Sequence, residues 1–189
     1  KWDGSSSTYQ YVKNPYYWDA DAVKTPAVNV TTTADATTSF NLYNAGKADF
    51  AQLNATQARN SKHKHGFTTV HTAATTYMTM NQKNPVLKNV KLRQAMSYAV
   101  NREKLAKNVL TGAAEPAKTF VAKGLTKDPN TGKDFVDTAH TKYVSYNKAE
   151  AAKLWAAGLK ETGKKTVKLT LLTGDTDAAK QTGQYLQSQ

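Results

Sequence analysis

The sequence predicts an α/β fold, because segments typical of strands alternate with segments typical of helices along its 189 residues. Residues 8–12, 28–32 and 67–81 alternate polar and apolar side chains or are rich in β-branched and aromatic residues, which is typical of strands. Beyond Pro85 the apolar residues recur every three or four positions, which is typical of helices. The hydrophobic fraction of 39% and the aromatic fraction of 10% indicate a globular chain rather than a disordered one.

The first part of the chain is predicted to begin with two strands on either side of an aromatic turn. Residues 8–12 alternate and carry two tyrosines, and residues 28–32 are strand-like. Pro15 disfavours a helical conformation at the residue before it, so residues 14–19 (NPYYWD) are predicted to form a turn.

Two helices and further strands are predicted to follow. In order along the chain these are a helix over residues 37–45, a short strand over 48–53, a helix over 55–61 and a strand-forming stretch over 67–81. Gly46 is a typical stop signal for the first of these helices. The last stretch predicts either one long strand or two strands with a break near residues 72–75.

After Pro85 the apolar residues follow a helical period. They form one face of a predicted helix, at Leu92, Ala95, Met96, Ala99 and Val100. A second helix is predicted to begin behind Asn101, whose side chain suits the N-cap position, and to end at Gly112. Residues 115–139 contain proline and glycine and are predicted to form a long connection.

The C-terminal part is predicted to hold two more helices with a strand between them. Asn147 is an N-cap candidate with Glu150 at the spacing of a capping box, and Gly163 is the predicted end of that helix. Its inner face is predicted to be formed by Ala151, Leu154, Trp155 and Leu159. Residues 167–172 alternate and predict a strand, and residues 176–189 predict a last helix.

A change in period and in charge near residues 81–85 is the predicted domain boundary. Residues 1–82 carry 7 basic and 5 acidic side chains, whereas residues 83–189 carry 19 and 9, and the whole chain has a net charge of +12. A basic surface is typical of proteins that contact nucleic acid, an anionic membrane or a polyanionic cell wall, or that use charge for solubility.

The chain contains no cysteine, which excludes disulfides, thiolate metal ligands and cysteine nucleophiles. No stretch approaches the roughly 20 apolar residues of a membrane-spanning helix, and no signal peptide is visible. The residues at both ends do not resemble natural termini, so we expect an internal fragment of a longer protein. The missing targeting segment therefore carries no information about location.

Three sequence blocks occur in order along the chain. Residues 13–18 read KNPYYW, residues 42–50 read LYNAGKADF, and residues 80–102 contain MNQKNP followed by VKLRQAMSYAVNR. In order and spacing they resemble the N-P-x-Y-W turn, the helix–Gly–strand unit and the "N…P…V-R-x-A-x-x-x-A-x-D-R" block of the oligopeptide-binding receptors of bacterial ABC importers. Asn101 stands where that family usually has Asp, and both residues cap helices.

This resemblance implies a two-lobed, class II periplasmic-binding-protein-like fold of which only the middle part is present. Residues 1–81 would belong to the first lobe, with a strand over 76–81 crossing between lobes, and residues 82–189 would begin the second lobe. The implied function is that of an extracytoplasmic receptor, anchored at the cell surface in its full-length form, which closes on an oligopeptide by hinge bending. The isolated fragment is expected to bind peptide poorly, because parts of the walls are missing.

The ligand-binding residues that the resemblance suggests lie in two stretches. Gln52, Leu53 and Asn54 follow the strand of the first lobe, and Tyr77 and Thr79 lie on the crossing strand. Amide and hydroxyl groups can pair with a peptide, and a tyrosine ring adds a flat apolar face. Structural alternatives stay open: the two polar residues of the first stretch simply begin and cap the next helix, or the tyrosine packs in the core.

Several other conspicuous side chains are predicted to have structural roles. Tyr17 and Trp18 are expected to pack within the turn that closes the first lobe, and Trp155 is expected to lie in the core. Arg93 is expected to be a helix-face residue held by a neighbour or by solvent, although pairing with a peptide carboxylate is an alternative.

Signals for catalysis, metals and cofactors are weak. His63 and His65 alternate with lysines, which favours a solvated loop over a metal site. Residues 128–134 resemble half a calcium loop, but the glycine and the terminal acid are misplaced, so a turn is predicted. Because no G-x-S-x-G, H-E-x-x-H or glycine-rich phosphate loop occurs, we expect no enzyme and no cofactor.

The expected partners are an oligopeptide ligand and the membrane permease of an ABC transporter. A second hypothesis is a basic surface adhesin module that binds an anionic wall polymer, mucin or matrix, because the second half of the chain is strongly basic. Nucleic acid is not an expected partner, since the chain has no recognised motif and no basic stripe with stacking aromatics.

Overall fold

The computed structural model describes residues 4–70, 72–139 and 142–189. The chain divides into two compact units, Lys1–Asn54 and Ala55–Gln189. This division does not coincide with the lobe boundary predicted at residues 81–82, which stays a prediction.

The first unit contains a two-stranded antiparallel sheet. Strand β1 (Thr8–Val12) pairs with strand β2 (Ala27–Thr31), and Thr8 lies opposite Thr31 in the register. The intervening turn is supported by Asn14, whose side-chain oxygen accepts the N–H of Tyr16 at 3.0 Å. Both predicted strands and the turn at Pro15 are thus confirmed.

One α-helix follows the sheet. Helix α1 (Ala36–Asn44) begins behind Asp35, whose carboxylate accepts the N–H of Thr38 at 2.8 Å. This hydrogen bond to the backbone holds the pKa of the Asp35 carboxyl below its ordinary value. The predicted stop at Gly46 is also confirmed, because its φ of +67° is a left-handed conformation that favours glycine.

None of the described residues of the first unit, 4–54, is buried. Apolar side chains of its sheet are largely exposed, among them Tyr11 at 62% and Val12 at 68%. A two-stranded sheet without a buried face is at best marginally stable in water. This unit therefore needs a further covering surface to hold its fold.

The second unit is built mainly from helices. They are α2 (Ala55–Ser61), α3 (Val90–Ala99), α4 (Arg102–Lys104), a π-helix (Leu105–Val109), α5 (Phe135–Thr138), α6 (Lys148–Thr162) and α7 (Asp177–Gln187). The helix predicted behind Asn101 is present as one short α-helical turn that continues directly into the π-helix. In the described part of the chain, no helix has both the length and the apolar character needed to cross a membrane.

The core of the second unit lies where α3 packs against α6. Leu92 is fully buried, and Ala95 and Tyr98 of the same helix are also buried. On α6, Gly158 approaches so closely that a Cβ there would lie 2.6 Å from the Cγ of Leu92. Burying one leucine side chain stabilises a fold by about 1.5–3 kcal/mol, so this contact is a major source of stability.

A polar network joins the N-terminus of α3 to the last turn of α6. The Asn89 side-chain oxygen accepts the N–H groups of Lys91 and Leu92, and its amide donates to Glu161 at 2.9 Å. The Lys91 ammonium also pairs with Glu161. The bonds from Lys91 and then from Asn89 hold the pKa of the Glu161 carboxyl below its ordinary value.

The predicted N-cap of α6 is confirmed, but the capping box is only half formed. The Asn147 side chain accepts the N–H of Glu150 at 3.0 Å, and the helix ends at Gly163 with φ +66°. The backbone N–H of Asn147, which a capping box would satisfy with Glu150, instead donates to the carbonyl of Tyr98 at 3.0 Å. The cap thus also ties α6 to the end of α3.

Arg102 joins the end of α3 to the turn at Lys142–Val144. Its guanidinium donates to the carbonyls of Ser97 and Val144, each at 3.0 Å, and to the Ser97 hydroxyl at 3.1 Å. Burial lowers the pKa of Arg102 from its ordinary value. The carbonyls compensate the half-buried cation, because each accepts a charge-assisted hydrogen bond.

The strands predicted over residues 48–53, 67–81 and 167–172 are wrong as far as the chain is described, and residue 71 lies outside the described residues. Each has a strand-like composition, but a strand also requires a neighbour to complete its backbone hydrogen bonds. Within residues 4–70, 72–139 and 142–189, β1 and β2 are the strands that pair. A strand-like composition therefore predicted more strands than the described chain forms.

We expect the substitution Gly158→Ala to destabilise the fold. The added methyl collides with Leu92, and overpacking of this kind costs about 1–3 kcal/mol, more than the roughly 1 kcal/mol that alanine gains over glycine within a helix. Gly183→Ala is the matched control, because its added Cβ would meet Thr173 at an ordinary 3.7 Å and should stabilise α7. Chemical denaturation that shifts both variants in the same direction would contradict this account.

Stability is expected to fall in acid partly through Glu161. Because its pKa is lowered in the folded state, the carboxylate contributes stability above its unfolded pKa of about 4.5, and this contribution is lost as the pH falls through the folded pKa. Glu161→Gln should flatten this part of the profile of unfolding free energy against pH between about 6 and 3. Lys91→Met should flatten the same part, and an unchanged slope in both variants would refute the role of the network.

Candidate functional site

The described part of the second unit contains a polar cleft and an apolar cleft, both open to solvent. The polar cleft has a volume of about 480 Å³ and is lined by Ala55, Thr56, Arg59, Asn108, Val109, Thr111, Gln181, Gln184 and Tyr185. The apolar cleft has a volume of about 550 Å³ and is lined by Lys118, Thr119, Phe120, Val121, Phe135, Thr138 and Ala139. Both volumes lie in the range of small-molecule sites.

Three elements form the walls of the polar cleft: the first turns of α2, the end of the π-helix and the middle of α7. Arg59 supplies a guanidinium, which prefers carboxylates, while Asn108, Gln181 and Gln184 supply amides that both donate and accept hydrogen bonds. Such a lining is chemically suited to the amide groups and the terminal carboxylate of a peptide.

The π-helix gives the polar cleft an unusual wall. The N–H of Leu110 donates to the carbonyl of Leu105 at 2.9 Å, and the N–H of Gly112 donates to the carbonyl of Ala106 at 2.9 Å. These wide turns end in two consecutive residues with positive φ, Thr111 at +49° and Gly112 at +82°. π-Helical turns are rare and are frequently found at functional sites.

Tyr185 fixes α7 in place beside the polar cleft. Its hydroxyl donates to the carbonyl of Asn101 at 2.9 Å, just before α4 begins. Burial, and then the neighbouring Tyr146, raise the pKa of the Tyr185 hydroxyl above its ordinary value.

The apolar cleft lies beside a loop that a carboxylate organises. Asp134 accepts the N–H of Val136 at 2.9 Å, which caps α5, and the N–H of Gly124 at 2.7 Å. These two bonds, in that order, hold the pKa of the Asp134 carboxyl below its ordinary value. The loop thereby brings Phe120 and Phe135 to one cleft.

Among the predicted ligand-binding residues, Tyr77 has the clearest setting. Its ring centroid lies 5.0 Å from that of Phe120, with 60° between the planes, and Phe120 lines the apolar cleft. Tyr77 is 63% exposed, so it is not a core residue of the chain as described. Thr79 is exposed as well.

The other predicted stretch closes the first unit. Gln52 is exposed, whereas Leu53 and Asn54 are half-buried, and none of the three is in a strand. Asn54 directly precedes α2, whose first residue lines the polar cleft. The ligand-binding role of all five predicted residues stays a prediction.

The structure confirms only some of the structural roles that were predicted for conspicuous side chains. Arg93 is held by its neighbours as expected, because it donates to the carbonyls of Leu87 and Lys88 at 2.8 and 2.9 Å. Trp155 is half-buried rather than in the core. Tyr17 and Trp18 contact each other at 5.5 Å between ring centroids, but Trp18 is 85% exposed, so this turn has no packing surface in the first unit as described.

The signals considered for metals lie on exposed turns. His63 and His65 are exposed and follow α2. The predicted turn at residues 128–134 is confirmed, because Asp128 accepts the N–H of Asn130 at 2.8 Å and its own carbonyl accepts the N–H of Gly132. Among the residues that the structure describes, no group of three histidine or acidic side chains is placed to hold a metal ion.

Most of the residues that line the clefts were not predicted as site residues from the sequence. Arg59 and Tyr185 lie on helices that were predicted from the sequence. The polar face of each helix is the feature that could have indicated them as cleft residues. Asn108 and Thr111 depend on the π-helix, for which the sequence offers no dependable signal. Phe120 and Phe135 are separated by a loop whose course a hydrogen-bonded carboxylate determines.

Comparison with known proteins now places the chain in a family. Residues 1–189 match the model of the bacterial extracellular solute-binding proteins, family 5, middle part. The chain belongs to this family. The resemblance found in the sequence blocks is therefore confirmed, and the strand, helix and turn assignments can be compared with relatives of known structure.

Two relatives are named for peptide binding. A dipeptide-binding protein of Lactococcus lactis is 35% identical over 99% of this chain, which covers 36% of that protein. An oligopeptide-binding protein, OppA, of Bacillus subtilis is 29% identical over 80% of this chain, which covers 27% of that protein. The chain thus spans about a third of the length of the curated relatives that it matches.

Solved structures confirm the fold. Listeria monocytogenes OppA bound to peptide superimposes with a TM-score of 0.89 at 33% identity, covering all of this chain and 38% of that protein. The pheromone receptor PrgZ superimposes with a TM-score of 0.85 at 33% identity, covering 98% and 36%. The predicted partial class II, two-lobed α/β fold is therefore confirmed, whereas none of these proteins supports an anionic polymer as partner.

Tyr185→Phe is expected to loosen α7 in this family 5 chain. The variant loses a hydrogen bond worth about 0.5–1.5 kcal/mol and leaves the Asn101 carbonyl without this donor. Amide hydrogen exchange should become faster in α7 and stay unchanged in α3 and α6. Unchanged exchange in α7 would show that the hydroxyl does not hold the helix.

Proposed function

We propose that this chain is part of an oligopeptide receptor of an ABC importer and is not an enzyme. The receptor binds peptides outside the cytoplasmic membrane, is anchored at the cell surface and delivers its ligand to a membrane permease. The observation that carries this proposal is the similarity of the whole chain to a Listeria OppA bound to peptide. The chain represents about a third of such receptors, so binding is proposed for the complete protein.

Residues 75–80 support peptide binding by backbone pairing. They lie outside the helices and strands, and no backbone hydrogen bond links them to other described residues. An extended peptide can add its own N–H and C=O groups to such a segment, as in β-augmentation. Because backbone pairing ignores the side chains of the ligand, a receptor built in this way accepts many sequences.

The two clefts offer surfaces for the peptide groups that backbone pairing does not hold, namely the side chains and the terminal carboxylate. Tyr77 and Phe120 present adjoining rings at the apolar cleft, which suits an apolar side chain of the peptide. Arg59 and the amides of the polar cleft suit peptide groups and a carboxylate. We assign Gln52, Leu53, Asn54, Tyr77 and Thr79 to ligand contact because the sequence blocks resemble the ligand-facing segments of the family, and Tyr77 also adjoins Phe120 of the apolar cleft.

Titration calorimetry with tetra- to octapeptides tests the function. A polypeptide that carries this sequence together with the segments needed to reach the length of its relatives should bind peptide with a stoichiometry of one. The 189-residue chain alone should bind weakly or not at all, since none of residues 4–54 is buried and its clefts are open. No binding by the longer polypeptide would contradict the proposed function.

Tyr77→Leu tests the site itself. We expect the peptide dissociation constant to rise roughly 2- to 12-fold, because an aromatic contact is worth about 0.5–1.5 kcal/mol beyond its area. Tyr16→Leu is the matched control, since Tyr16 is also an exposed tyrosine, at 94%. Equal affinities for both variants and the unmodified protein would remove Tyr77 from the site.

A further inference from the structure

Thr111 has a backbone conformation that a β-branched residue rarely adopts. Its φ of +49° is the one positive value among the non-glycine residues that the structure describes. A β-branched side chain in this region is strained, and strain of this kind costs about 1–3 kcal/mol. Such a conformation persists only where the surroundings enforce it, so the contacts of Thr111 are of interest.

Two features hold Thr111 in this conformation. The chain leaves the π-helix through the wide turns described above, with Gly112 also at positive φ. The Thr111 hydroxyl donates to the carbonyl of Ala55, the first residue of α2, at 2.8 Å. The two residues are 56 positions apart, so this hydrogen bond links distant segments and is not a local turn contact.

This hydrogen bond lies at the polar cleft, which both residues line. In the two-lobed division proposed from the sequence, α2 belongs to the first lobe and Thr111 to the second. In the structure, α2 is part of the compact unit that contains the π-helix and α7. Within this one unit, the bond connects two segments that the sequence-based division assigns to different lobes, at the edge of a candidate ligand cleft.

We propose that Thr111 is a positioning residue that latches α2 to the end of the π-helix when the receptor is closed on peptide. This inference rests on the proposed function and adds a residue whose hydroxyl sets peptide affinity and residence time through its bond to Ala55 and not through a bond to the ligand. A contact made only in the closed form stabilises that form, and by linkage it strengthens the binding of any ligand that needs closure.

Three variants of the polypeptide that spans the length of the relatives test the latch. Thr111→Val removes the hydroxyl and keeps the β-branched shape, whereas Thr111→Ser keeps the hydroxyl. Thr162→Val is the matched control, because Thr162 is also half-buried but its hydroxyl donates within its own helix, to Gly158 and Leu159. Peptide dissociation constants and dissociation rates are measured for each variant, together with unfolding free energies without peptide.

We expect Thr111→Val to raise the dissociation constant roughly 2- to 12-fold, mainly through faster dissociation, which corresponds to one ordinary hydrogen bond. Thr111→Ser and Thr162→Val should stay within about 2-fold of the unmodified protein. A merely structural role predicts a lower unfolding free energy for Thr111→Val with unchanged affinity, and that result would overturn the latch. An equal loss of affinity in Thr162→Val would also overturn it.

The experiment distinguishes a wrong latch proposal from a wrong proposed function. If the unmodified polypeptide binds peptide and Thr111→Val binds equally well, the function stands and the latch is wrong. If the unmodified polypeptide binds none of the tetra- to octapeptides, the function and the latch are both wrong.

Discussion

Helices α3 and α6 approach so closely that the side chain of Leu92 occupies the space beside Gly158 where a Cβ would otherwise lie. This contact determines the position of much of the second unit. The Asn89–Lys91–Glu161 network joins one end of the helix pair, and the bond from Asn147 to Tyr98 joins the other. Because the pair is fixed at both ends, Arg102 and the following π-helix start from a defined position.

The first unit has no comparable contact. Among residues 4–54 no side chain is buried, although the sequence supplies tyrosines, valines and a tryptophan suited to packing. Large exposed apolar groups on a soluble protein generally mark a surface that another element covers. Since the chain covers about a third of its relatives, we interpret the strand residues Tyr11 and Val12 as core positions of a larger fold.

The sequence was a good guide wherever local chemistry decides the structure. Asn101 and Asn147 cap helices as predicted, and Gly46 and Gly163 end them, because a side-chain acceptor or a left-handed glycine acts within four residues. The strand predicted over residues 67–81 does not form in the described chain, because a strand needs a neighbouring strand that composition does not reveal. The π-helix and the strained Thr111 depend on packing that no local pattern reveals.

The candidate site was predictable only in part for the same reason. Tyr77 was found because the sequence blocks resemble a known family, and its exposed ring beside Phe120 suits that role. Arg59, Asn108 and Tyr185 come from three separate helices and meet at one cleft only after folding. The resemblance of the sequence blocks thus predicts two segments as ligand-facing, and it does not predict the side chains that line the clefts.

Hydrogen exchange with and without peptide, on a polypeptide that spans the length of the relatives, tests the central claim most directly. Peptide binding by this part of the receptor predicts slower exchange in residues 52–61, 75–81 and 105–113 and little change in α3 and α6. Protection confined to α3 and α6, or to segments outside this sequence, would contradict the claim that these residues form the peptide site.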